Sequence, residues 1–413
     1  MGIRMLQFEV NKIVKTKYFR MLSFILLLFL IAYYVYAYIN TTRLEEVVAT
    51  LEGTLEGMET QLSKIEEGTT DFEIFNNIYE KQRDEADAYK KEDWPAVFNR
   101  QIELLPADLD SNIANRQYYT SSFPTLFTME TRRAQYNWLS EKDIEPVFWL
   151  WDVSWKTAYD LYYPMAGVGD DDFQRQIVEK YSNQYSSTGI YFTNHVANLF
   201  FSMGGVFFFL LLFGDIVTKE GLGTNGSIHL LRTQPINRHS ILVSKFLSVM
   251  FLSFLFLAGI GVVAVVLGTV FDRLGDWNYP VLVYGEEYSF EFINMGIFIL
   301  KSGLLFFMVL LFSYSLLFLF SLLTKRTIIA LGLTIITILL GMQLADQAVL
   351  SSFAHFIPFH YFSTPKIVTM EMAASLKNFN FDYANGMIVL GVGSGILLVA
   401  TYLLSLFQYK QRV

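Results

Sequence analysis

Histidines stand at 195, 229, 239, 355 and 360, and the chain has no cysteine. It therefore has no thiol nucleophile, no disulfide framework and no thiolate metal site. His355 and His360 are five residues apart, which does not put them on one helical face, so they are not read as a metal pair. No G-x-x-x-x-G-K-[ST] phosphate loop, H-E-x-x-H pair or EF-hand loop occurs. Ser394 lies among Gly391, Gly393 and Gly395, but no general base accompanies it. Those glycines read as sites of close helix packing, as do Gly204, Gly205, Gly259 and Gly261. The chain is expected to be no enzyme and to hold no cofactor or metal of its own.

One stretch carries a denser pattern. From Gly214 the sequence runs GDIVTKEGLGTNGSIHLLRTQPINRHSILVSK. Asn225-Gly226 is a turn signal, Ser227 a good helix N-cap, and Pro235 limits the short helix begun by Ile228. A short amphipathic helix rimmed by Arg232 and Arg238 is a docking element. Taken alone, it suits lipid headgroups or a second protein.

The elements around this stretch are apolar. Of 413 residues 53% are hydrophobic, 16% aromatic and 17% charged, where a soluble domain carries about 25% charged residues. A disordered chain, a nucleic-acid binder and an ordinary cytosolic enzyme are thereby excluded. Six runs are long enough to cross about 30 Å of hydrocarbon: 21–38, 196–217, 246–270, 302–323, 327–344 and 387–406. The first exceeds a signal-peptide core and lacks an A-x-A site, so it is read as a retained span.

Charge orients the spans. Arg4, Lys12, Lys15, Lys17 and Arg20 precede the first, and Lys219, Arg232, Arg238 and Lys245 follow the second. Lys325 and Arg326 separate the fourth from the fifth, and Lys410 and Arg412 follow the sixth. Six spans put all four clusters on one side, the cytoplasm, with both termini. The acidic group Asp272, Asp276, Glu286, Glu287 and Glu291 then lies opposite. Asp215 and Lys301 sit near span ends and read first as boundary residues, second as pathway residues.

Residues 39–195 form one long insertion with 28 Asp and Glu against 14 Lys and Arg, a net charge of −14; the remainder of the chain is +6. Leu44, Val48, Leu51, Leu55, Met58, Leu62 and Ile65 make a heptad stripe on a helix predicted over 42–67. Thr70 and Glu73 make a capping-box signature for a second helix. The glutamates edging the first helix would repel in a two-copy coiled coil, whereas Lys81, Arg83, Lys90 and Lys91 of the next segment answer them. The edge charges thus favour a local helical hairpin. Beyond residue 92 aromatics accumulate, densest at Trp149, Trp151 and Trp155. A small helical core accounts for them, and so does a partly exposed surface for a lipid or amphipathic peptide; the three tryptophans are then weak substrate-binding candidates.

The region from Asp215 to Lys245 resembles the permease subunit of type-2 ABC exporters. In that family an acidic residue closes the second span, followed by a Glu, a Gly-Thr pair, a Leu-Leu-(x)-Thr-x-Pro stretch, an Arg and a Lys. Here Asp215, Glu220, Gly223-Thr224, Leu230-Leu231, Thr233, Pro235, Arg238 and Lys245 stand in that order. Six spans, cytoplasmic termini and the aromatic segment from Phe356 to Phe362 agree with it. The insertion departs from the short-loop members, which bears on the substrate.

The resemblance implies a bacterial ABC transporter permease with a large extracellular domain. Its fold would be mainly α, a six-helix polytopic membrane protein with a helical extracellular domain inserted between the first and second transmembrane helices. Residues 1–38 would hold the cytoplasmic N-terminus and first transmembrane helix, 39–195 the extracellular domain, and 196–413 helices two to six with a cytoplasmic coupling loop over 218–242. Glu220, Gly223, Thr224, Ile228, Leu231, Arg232, Thr233, Pro235 and Arg238 would meet the ATPase. Two copies of an ABC ATPase subunit, carrying ATP and Mg, and a second permease, the same chain or a relative, would complete it in the bacterial plasma membrane among its lipids. The implied function is ATP-driven export of an amphipathic peptide, lipid or other hydrophobic substrate. A mechanotransmission device that moves the outside domain without cargo, and a non-transport receptor or scaffold, are the alternatives.

Overall fold

The structure, a computed structural model, describes residues 2–105, 109, 111, 125–147, 157–162, 185–218, 238–324, 326–349 and 353–410. An amphipathic helix α1 (Gly2–Val14) leads into α2 (Lys17–Ile39), whose N-cap Thr16 accepts a bond from Phe19 N at 3.2 Å. The described part of the insertion holds α3 (Leu44–Leu62), α4 (Thr70–Lys90), α5 (Trp94–Glu103), α6 (Leu126–Glu141) and α7 (Ala158–Tyr162). Then come α8 (Gly189–Phe200), α9 (Met203–Thr218) and α10 (Arg238–Phe271). An antiparallel pair, β1 (Pro280–Tyr284) and β2 (Phe290–Asn294), runs in the register Pro280 to Asn294 through Tyr284 to Phe290. It is followed by α11 (Met295–Thr324), α12 (Thr327–Ala348), two short 3-10 turns (Ala354–Phe356 and Pro358–Phe362), α13 (Thr364–Val368), α14 (Glu371–Leu376) and α15 (Tyr383–Lys410).

Five helices among the described residues are long and apolar enough to cross a membrane, and a sixth crossing exists if α8 and α9 are one bent span. This corrects the expectation of six continuous rods. The second predicted span, 196–217, is a pair of helices that meet at 76°. At the centre lies α11, against which α8, α9, α10, α12, α13 and α15 all pack. Its middle, from Leu305 to Phe318, is largely buried among these neighbours, while Ile297, Leu300, Leu304 and Leu323 are exposed apolar side chains of the kind that face lipid. Tyr18, starting α2, bonds Leu211 O on α9, and Phe246 of α10 meets Phe318 of α11 with centroids 5.1 Å apart. Those helix ends therefore share one end of the bundle; the insertion and the β-hairpin leave from the other.

The helical hairpin expected for the insertion is present: α4 packs on α3. Every member of the heptad stripe from Leu44 to Ile65 is half-buried, and Lys90 Nζ reaches Glu52 Oε1 at 2.9 Å. The cap of α4 is Thr69, one residue before the predicted Thr70; its hydroxyl accepts from Phe72 N at 3.2 Å. Next, α5 covers the C-terminal half of α4, burying Glu85, Ala86, Ala88 and Tyr89, and Gln101 Nε2 donates to Glu85 Oε1 at 2.7 Å. Phe98 of α5 stacks on Tyr136 of α6, centroids 5.8 Å apart. Asp160 ties α6 to α7, accepting from Thr125 N and Thr157 N, each at 2.8 Å, and from the Thr128 hydroxyl. Tyr284 Oη on β1 then accepts from Ala158 N at 2.8 Å, which docks the insertion on the β-hairpin.

Candidate functional site

Of the expected coupling residues, Glu220, Gly223, Thr224, Ile228, Leu231, Arg232, Thr233 and Pro235 lie outside the described residues, as do Trp149, Trp151 and Trp155. Arg238 opens α10. The structure thus supplies the two helices that deliver the segment: α9, which ends at Thr218, and α10. Between them runs an aromatic seam. Phe19 of α2 sits 6.0 Å from Phe213 and 5.9 Å from Phe256, ring to ring, and Phe209 lies 6.0 Å from Phe256 and 6.1 Å from Phe306. Rings at these separations interlock by edge and face, so α9, α10 and α11 cannot slide independently at low cost.

A polar node fixes the same three helices. Tyr314 of α11 is fully buried, its hydroxyl 2.8 Å from Ser253 Oγ of α10 and directed at Phe209 O of α9. An unpaired phenol in this interior would cost roughly 1–3 kcal/mol, so the node specifies one mutual register. Closer to the segment, Ser244, Lys245 and Ser248 are buried on α10, and Ser248 Oγ donates to Ser244 O at 2.7 Å. Helix α1 packs on α10 and contributes a buried acid, Glu9, so a buried acid and a buried base stand on two packed helices. Sequence reasoning treated the N-terminus only as a basic run and did not find this helix.

The bend between α8 and α9 also escaped the sequence, since the apolar run continues through it. Gly205 shows why the chain bends there. A Cβ on it would lie 1.8 Å from Phe200 O and 3.0 Å from Phe306 Cζ, so only glycine allows this fold-back. A broken helix frees backbone groups that lipid cannot satisfy. Here Phe201 O accepts twice from Thr364, from its N–H at 3.3 Å and its hydroxyl at 3.1 Å, while the Phe201 ring stacks 5.2 Å from Phe306. Thr364 reaches the break because the two 3-10 turns are wedged among helices. Phe359 meets α12 at Gly341, where a Cβ would lie 2.5 Å from the ring, and Tyr361 meets α15 at Gly386, where it would lie 2.7 Å away. The aromatic segment singled out in the sequence is therefore a packing wedge against the spans.

At the insertion end, α8 is seated on the end of α10. Gly189 N and Ile190 N, two N–H groups at the start of α8, donate to Arg273 O and Leu274 O at 2.8 Å each. Ser187 Oγ donates to Asp272, and Arg273 pairs with Glu145. Trp138 Nε1 of α6 donates to Asn278 O at 3.0 Å. Burial pushes the Glu145 carboxyl above its ordinary range despite the opposing Arg273 guanidinium. Of the residues weighed as packing glycines, Gly205, Gly391 and Gly393 meet neighbours, while Gly259, Gly261 and Gly395 face open space. Ser394 donates to Leu390 O within its own helix at 2.6 Å, and Lys301 is half-buried, 5.9 Å from the Tyr383 ring.

A family model described as ABC-2 family transporter protein matches residues 4–412. No curated protein and no solved structure matches the chain. A match over nearly the whole length takes in the insertion as well as the spans. With the buried central helix and the apolar rods around it, that match identifies this chain as a multi-pass membrane protein belonging to the ABC-2 family of transporters, a permease subunit that works with an ABC ATPase.

Proposed function

We propose that the chain exports an amphipathic peptide, a lipid or another hydrophobic substrate, driven by two copies of a separate ATPase. The observation that carries this is the pair of helices α9 and α10, interlocked through Tyr314 and the aromatic seam, with the Glu220 to Pro235 stretch between them in sequence. Glu220, Gly223, Thr224, Ile228, Leu231, Arg232, Thr233, Pro235 and Arg238 receive the ATPase. Its closure on ATP moves that segment and repacks the spans. The basic clusters support a cytoplasmic position for the segment and both termini, with the acidic insertion outside a bacterial plasma membrane. A second permease, the same chain or a relative, completes the route, and Trp149, Trp151 and Trp155 are candidates for meeting the substrate.

The test is reconstitution of the chain in liposomes with the P-loop ATPase that co-purifies with it. The expected result is ATP hydrolysis above that of the ATPase alone, stimulated by a transported hydrophobic compound, with both lost when Glu220 or Arg238 is replaced by Ala. Absence of a co-purifying ATPase, or replacements that leave its association unchanged, would sink the proposal.

A further inference from the structure

We infer that α10 carries the ATPase stroke through the membrane and into the insertion, so that the α3–α4 hairpin is a driven lever rather than a fixed cover. The inference rests on the permease reading above, because the stroke enters through the segment that ends at α10. Of the two helices leaving that segment, only α10 reaches the insertion end unbroken. It runs 34 residues, about 51 Å at 1.5 Å per residue, roughly 20 Å more than the hydrocarbon thickness. The other, α9, meets a bend of 76° after 16 residues.

What α10 pushes on is defined. Residues 272–278 hold the insertion at both its sides. Trp138 and Glu145 come from the α6 side, and Ser187, Gly189 and Ile190 from the turn into α8, each bonded to this one loop. Below them Gly268 of α10 touches the backbone of Gly189, where a Cβ would lie 2.3 Å from Cα. From α6 the contact continues without a gap: α5 on α6, α4 on α5, α3 on α4. The hairpin has its own joint to the membrane part at residues 40–43, where the helix is interrupted between α2 and α3 and Arg43 lies over the Tyr38 ring at 4.4 Å. A push at 272–278 against a joint at 40–43 swings the hairpin. Coupling of this kind travels through packed, continuous elements, and α6, α5, α4 and α3 form such a chain.

The absence of native cysteine makes the test direct. Spin labels are placed at Glu59→Cys on α3 and Ile388→Cys on α15, both exposed, in the complex with its co-purified ATPase in lipid nanodiscs. The label distance is read by pulsed electron resonance without nucleotide and after trapping with ATP and vanadate. The expected shift is about 5 Å, one helical turn. Arg273→Ala, or the milder Trp138→Phe, leaves hydrolysis running and removes at least half of the shift. Hydrolysis with superimposable distances overturns this inference alone, as does a full shift in both variants. A complex that hydrolyses nothing overturns the permease reading and this inference with it.

Discussion

Gly268 and Gly189 lie backbone against backbone: a Cβ on Gly268 would sit 2.3 Å from Gly189 Cα and 2.4 Å from Gly189 N. The contact closes the seat that Arg273 O and Leu274 O make for the first turn of α8. Gly268→Ala is expected to cost about 1–3 kcal/mol, the usual range for overpacking. Gly261→Ala, seven residues earlier on the same helix and facing open space, is expected to cost nothing measurable. Melting of the detergent-solubilised variants, followed by retention of the monodisperse peak, compares the two.

Gly205→Ala is a more severe case. The new methyl would meet a main-chain carbonyl at 1.8 Å, which no side-chain rearrangement relieves. The variant is expected either not to accumulate as folded protein or to straighten the bend. Proteolysis of membranes containing it separates those outcomes from a tolerated change, which would contradict the geometry.

Thr364→Val removes one of the two bonds to Phe201 O and leaves the N–H in place. About 1 kcal/mol of destabilisation follows for a hydrogen bond lost from a buried site. Thr364→Ser keeps the hydroxyl and is expected to melt close to the parent. A loss in Thr364→Ser with none in Thr364→Val would mean that packing of the threonine methyl, and not the bond, matters.

Burial is the leading cause that raises the Glu85 carboxyl, against Arg100 and Gln101, and it raises Glu145 as well. The folded protein thus holds protons that the unfolded chain releases. The stability these groups contribute is complete below the ordinary carboxylate range and fades as pH rises through their raised values. Melting temperature should therefore fall on going from acidic toward neutral pH in that window. Glu85→Gln should flatten the fall while keeping an acceptor for Gln101, and at pH 7 it should be no less stable than the parent.

Lys90 and Glu52 join the two helices of the hairpin, but both are well exposed. Lys90→Gln is expected to leave the melting of the chain unchanged, because exposed pairs are screened and entropically costly. Leu51→Ala, on the half-buried stripe beneath the pair, is expected to lower it. Circular dichroism melts of the two variants rank the contributions.

Much of this fold was legible from hydropathy alone. Five long apolar runs became helices at the expected places, and the heptad stripe with its answering lysines became the α3–α4 hairpin. The bend at Gly205 was not legible, because a composition window averages over two residues that leave the helix and because a glycine pair among apolar residues also suits straight helix packing. The partner that makes the bend affordable, Thr364, lies 163 residues away in sequence from Phe201. The β-hairpin was missed as well. Its acidic turn hides a clear alternation in Val281, Val283, Phe290 and Phe292. Ser253 and Tyr314 offered a signal that went unused: polar side chains in apolar runs tend to find each other. The coupling segment was legible in the order of its residues, and α9 and α10 flank it.

The lengths of the rods also distribute sensitivity to acyl chains. With about 51 Å of helix, α10 crosses thin and thick bilayers alike with turns to spare. Helix α12 has 22 residues, about 33 Å, and little margin. In vesicles of increasing lipid chain length, the strain of hydrophobic mismatch falls on α12 and, through Gly341 and Phe359, on the wedge that holds the bend closed.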